Sequence, residues 1–113
     1  MRFIILPTLA LVACDPATVD CDTLAVASVN LIITDGTDPV DDATVQYSLA
    51  GEAPVDCESI SAANEWVCGW EVSGDLTITV DAPGFSPYTE TVTVGSDACH
   101  VISESLDVVL DPA

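Results

Sequence analysis

The sequence predicts an all-β chain, an antiparallel β-sandwich of six or seven strands, on three observations. Short runs rich in Val, Ile and Thr alternate with polar residues at period two. Clusters of Gly, Pro and Asp interrupt those runs, and from Leu24 onward no stretch repeats its apolar residues at helical spacing. At 113 residues and 50% apolar content the chain suits one domain with one core, and that content opposes disorder even at a formal charge of −18.

The strands follow in order. Residues 24–34 form the first, ended by Asp35 and Gly36, and residues 43–49 the second, where Val45, Tyr47 and Leu49 alternate with Thr44, Gln46 and Ser48. Residues 65–72 come next. In residues 75–81, Leu76, Ile78 and Val80 face one way and Thr77 and Thr79 the other. Residues 88–94 and 99–110 complete the series. Such alternation gives each sheet one wet face, where the carboxylates belong. The sandwich is expected to occupy residues 23–113.

The start of the chain reads differently. Met1 and Arg2 supply a positive end, residues 3–12 are an apolar run broken by Pro7 and Thr8, and Ala13 is small. This is the pattern of an export leader over residues 1–13. Its apolar run is about half of the roughly 20 residues a membrane-crossing helix needs. Leu11, Val12, Ala13 and Cys14 resemble the bacterial lipobox. The resemblance implies that Cys14 becomes the first mature residue and carries a diacylglycerol, usually with a third acyl chain on its amine. Two or three chains hold a protein on a bilayer where one does not. Residues 14–22 are then a lipidated Cys and a short tether. The expected partner is the lipid bilayer, and the expected place is a bacterial envelope membrane, with the domain in the periplasm or at the surface.

With Cys14 assigned to lipid, Cys21, Cys57, Cys68 and Cys99 remain. Export puts them in an oxidising compartment, where two disulfides are expected out of three connectivities. Cys57 and Cys68 flank a segment that reads as a hairpin, which pairs them and leaves Cys21 for Cys99. A zinc site is disfavoured, since no pair has C-x-x-C spacing and there is one His.

Charge excludes several functions. The chain has 19 acidic residues and one basic residue, Arg2, in the leader. A mature surface without Lys or Arg cannot neutralise phosphates, which removes nucleic-acid binding, and it offers no arginine clamp or Schiff-base lysine.

The remaining candidate sites are few. Asp35, Asp38, Asp41 and Asp42 crowd one loop and offer the oxygen ligands Ca²⁺ takes. Their order does not match EF-hand spacing, and a solvated turn is the expected reading, with no cofactor. Trp66 and Trp70, four apart on a strand, share a face with Cys68. If exposed they would form a platform for a glycan, and core packing around the disulfide is the preferred reading. The single imidazole, His100, is expected to serve strand packing. No G-x-S-x-G elbow exists and Asp35, Gly36 and Thr37 reverse the aspartic-protease order, so no enzyme is expected.

One family resemblance covers about residues 28–110. Gly36, Pro39 with Val40, Ala43 with Val45, the alternating Gly74, Leu76, Ile78 and Val80, the run Ala82, Pro83, Gly84 and Phe85, Val92 with Val94, and the closing Leu106, Val108 and Leu110 resemble the carboxypeptidase regulatory-like domain. Two residues, Thr37 and Asp38, separate Gly36 from Pro39 where that family commonly has one. The resemblance implies a transthyretin-like (prealbumin-like) sandwich and is nearly silent on activity. The expected function is a non-catalytic structural or interaction module of the cell envelope, the alternative being a glycan- or calcium-binding module.

Overall fold

In the computed structural model of the chain, which describes residues 21–60 and 64–113, the fold is all-β. Cys14 and the leader lie outside the described residues. The strands are β1 (Ala27–Thr34), β2 (Thr44–Leu49), β3 (Val55–Asp56), β4 (Glu58–Ser59), β5 (Glu65–Trp70), β6 (Gly74–Asp81), β7 (Tyr88–Val94) and β8 (Glu104–Val109). They form two four-stranded sheets, ordered β4-β5-β1-β8 and β3-β2-β6-β7.

The period-two alternation decides what is buried. On β1, Val29, Leu31 and Ile33 are buried, and on β6 Leu76, Ile78 and Val80. With Val45, Val94, Val108, Leu110 and Cys68 they make one core between the sheets. Each such side chain contributes about 1.5–3 kcal/mol on full burial. The opposite face of the β2-β6-β7 sheet carries Thr77 facing Thr91, and Thr93 donating to Asp75 at 2.8 Å. This is the wet face expected of an alternating strand.

The all-β sandwich class expected from the sequence is present, with two differences of detail. The described residues hold eight strands where six or seven were expected, because the segment before β5 contains two two-residue strands, too short to show a period. β3 pairs with β2 and β4 with β5, so the chain passes from one sheet to the other between Asp56 and Glu58. Cys57 sits at that crossing, donates its N–H to the Val45 carbonyl at 2.9 Å, and is bonded to Cys68 on β5.

The second difference is that the sheets are not wholly antiparallel. β1 and β8 run parallel, with Val29 opposite Glu104 and Ile33 opposite Val108. The second disulfide, Cys21–Cys99, matches this direction. It ties the segment entering β1 to the segment entering β8, so the two strands start from the same end and run the same way. Both disulfides pair as the spacing suggested.

The last expected strand, residues 99–110, is shorter than its apolar content implied. Residues 97–100 are a tight turn: Asp97 Oδ1 accepts the N–H groups of Cys99 and His100, both at 2.9 Å, and Asp97 N–H donates to the His100 carbonyl at 2.8 Å. A side chain that satisfies two backbone donors makes the turn more favourable than continued strand. β1 likewise starts at Ala27 rather than at residue 24.

Candidate functional site

The densest polar arrangement among the described residues lies at the end of the sandwich where β1 begins. Its position follows from the exit of β5. Gly69 has φ +82° and Glu71 φ +59°, so the chain turns sharply on either side of Trp70. Gly69 is required there. A Cβ would lie 3.2 Å from Ser28 Oγ and 3.3 Å from Val72 Cβ, and a side chain is disfavoured at that φ in any case. Ser28, fully buried, holds the other side of the turn: its hydroxyl donates to the Val72 carbonyl at 2.7 Å and accepts the Val72 N–H at 2.8 Å.

Glu71 emerges from this turn as a hub. Its backbone N–H donates to the Val26 carbonyl at 2.9 Å, and its Oε2 accepts the Val26 N–H at 3.0 Å. Its Oε1 accepts the Val101 N–H at 3.1 Å, and its Oε2 meets His100 Nδ1 at 2.5 Å. The other ring nitrogen, Nε2, meets Asp22 Oδ1 at 2.9 Å. Three segments remote in sequence are thereby joined: the stretch before β1, the end of β5 and the turn at residues 97–100. The Cys21–Cys99 disulfide joins the first and third of them covalently.

The electrostatics follow from the geometry. A carboxylate at each ring nitrogen favours the doubly protonated imidazolium, and the Glu71 hydrogen bond, with a smaller contribution from Asp22, raises the His100 pKa above its ordinary value against the cost of desolvation. Glu71 moves the opposite way. The hydrogen bond to His100, then the Val101 and Val26 N–H groups, hold its carboxyl below the ordinary range. Asp97 is also lowered, by the backbone N–H groups of His100 and Cys99. When doubly protonated, the ring donates from both nitrogens, one to each carboxylate. What it does is hold two carboxylates together.

Sequence reasoning placed His100 in a packed strand and missed this clamp. A signal was available. The chain beyond Arg2 has no Lys or Arg, so its one imidazole is the natural partner for any carboxylates that fold against it.

The other candidates fall as follows. Asp35 Oδ1 accepts the N–H groups of Thr37 at 2.9 Å and Asp38 at 2.7 Å, which fixes a turn and lowers the Asp35 pKa. Asp38, Asp41 and Asp42 are exposed beside it. Among the described residues, no three His, Cys, Asp or Glu side chains gather as ligands for an ion. Trp66 is partly buried against the core, with its ring N–H buried and without a protein partner. Trp70 is exposed, and its ring N–H donates to Glu58 at 3.3 Å. Trp70 is thus the one exposed ring of the pair. Val67 and Gly69, between and beside these rings on the strand, are buried. Cys57 and Cys68 are buried in the core, whereas Cys21 is exposed.

No protein-family model matches the chain, and no curated protein does.

Proposed function

We propose that the protein is a membrane-anchored bacterial lipoprotein whose β-sandwich acts as a non-catalytic structural or interaction module of the cell envelope. The observation that carries this reading is the pair of disulfides, Cys21–Cys99 and Cys57–Cys68. Such bonds belong to an oxidising compartment outside the cytoplasm. They agree with an export leader followed by the lipobox-like residues 11–14. With Cys21, Cys57, Cys68 and Cys99 paired, Cys14 is the one of the five cysteines that remains for lipid.

The site chemistry supports the non-catalytic part. His100 is occupied at both nitrogens by carboxylates, and among the described residues its ring hydrogen bonds go to those carboxylates rather than to a hydroxyl or thiol. The acyl chains hold the chain to its membrane, and the domain stands in the periplasm or at the surface as a rigid block of the carboxypeptidase regulatory-like kind.

Fractionation of cells expressing the Cys14→Ser chain tests this. The variant should leave the membrane fraction and appear as a soluble or unprocessed form, while the unaltered chain stays with the membranes. Equal membrane retention of the two would reject lipid anchoring at Cys14.

A further inference from the structure

The end of the sandwich that carries the His100 clamp also carries exposed apolar side chains that the fold does not use. Leu24 is 73% exposed, Ile102 52% and Trp70 43%. Each lies next to the hub. Trp70 precedes Glu71, Ile102 follows Val101, and Leu24 stands two residues before Val26, both of which donate to the Glu71 carboxylate. We propose that this end is the membrane-contacting face of the domain, with Leu24, Trp70 and Ile102 seated in the interfacial layer of the bilayer. The proposal rests on the reading of Cys14 as acylated.

Chain length gives the first argument. Six residues separate Cys14 from Cys21, a span of at most about 25 Å when fully extended. Cys21 is bonded to Cys99, so the tether cannot leave the domain from anywhere but this end. The acyl chains at position 14 therefore hold the clamp end, and not the far end of β1, near the headgroups.

Charge gives the second. No Lys or Arg lies beyond Arg2, so cationic side chains cannot draw the domain to anionic lipid. Any direct contact must come from apolar and aromatic groups, and Trp with Leu and Ile is the set that favours the headgroup boundary. The clamp suits the same position. Its imidazolium stands between Asp22 and Glu71, so the imidazole available to the mature domain faces carboxylates at the end where bare negative charge would most oppose approach to a membrane. Four other large apolar side chains are exposed among the described residues: Ile32 and Ile60 both neighbour Glu65 and Val109 pairs with Thr34, toward the far end of β1, while Val55 pairs with Tyr47 in the other sheet.

The test uses the full acylated chain in phosphatidylcholine vesicles whose acyl chains are brominated close to the headgroup. Flotation first shows whether the chain is anchored. Bromine should then quench Trp70 at least about twofold, read as the emission that the Trp70→Phe chain lacks, while Trp66, left alone in that variant, should be quenched little. The Trp66→Phe chain gives the same reading directly where it folds. Replacing Leu24 and Ile102 by Ser should reduce the quenching, and raising the salt should leave it unchanged or increase it. A chain that floats with the vesicles but shows no quenching of Trp70, or loses it in salt, overturns the membrane-facing assignment and leaves lipid anchoring intact. A chain that does not float overturns both.

Discussion

The Cys21–Cys99 disulfide should dominate both stability and folding rate. β1 and β8 are parallel neighbours, and Val29 meets Glu104 only after the whole of the second sheet has been threaded between them. The disulfide closes a loop of 78 residues, almost the same loop that this strand pairing must close. In the unfolded chain it therefore removes the entropy that β1–β8 pairing would otherwise cost. Chain-entropy arithmetic for a loop of that length gives about 4.5 kcal/mol, against about 3 kcal/mol for the 11-residue separation of Cys57 and Cys68. Net stabilities of small domains are about 5–15 kcal/mol, so the loss approaches the whole. With a urea slope of about 1.3 kcal/mol per molar, near the low end of the usual range, replacing Cys21 and Cys99 together by Ser should lower the unfolding midpoint by about 3.5 M. The assay is equilibrium urea unfolding followed by tryptophan emission, with stopped-flow refolding beside it. Because the cost falls on closing a long loop, the variant should also refold more slowly than the disulfide-bonded protein. A midpoint shift under about 1 M at unchanged slope, or equal refolding rates, would refute the reasoning.

Other outcomes follow from the clamp and its supporting turn. The raised His100 contributes stability that is complete below its ordinary value of 6.5 and is lost as pH rises through the raised one. The lowered Glu71 contributes stability that is complete above 4.5 and is lost as pH falls through the lowered value. The melting temperatures of the wild type and His100→Gln should thus differ most between those two values and converge in strong acid and in base; a difference independent of pH would contradict the ionic clamp. Ser28→Ala should destabilise by about 1–3 kcal/mol in chemical denaturation, since it strands the buried N–H and carbonyl of Val72. Gly69→Ala should cost at least about 1–2 kcal/mol from the left-handed backbone alone, with the Ser28 contact in addition, and a neutral effect would mean that the turn relaxes freely.

Much of the fold was legible because its information is local. β2, β6 and β7 alternate cleanly, and their observed bounds fall within one residue of the runs read from sequence. The cysteine pairing was legible too: Cys57 and Cys68 flank one turn of chain, and a single partner then remains for Cys21. What could not be read is non-local. The parallel β1–β8 pairing depends on which end of the sandwich the chain returns to, and no period encodes that. Val101 and Ile102 look like strand residues, yet the carboxylate of Asp97 and the Cys21 bond fold their neighbours into a turn. Alternation assumes an extended backbone, and the positive φ at Gly69 and Glu71 breaks that assumption, so no period shows the turn that brings the Glu71 carboxylate to His100. The clamp needed all three of these features, so its residues lay in plain view while their meeting did not.

Lipid at position 14 is the central claim, and the mass of the mature N-terminal peptide from membranes tests it most directly. The expected spectrum shows a chain beginning at Cys14 and heavier than its sequence by a diacylglyceryl group, with or without a further acyl chain. A mature peptide that begins upstream of Cys14, or one with an unmodified thiol there, would contradict it.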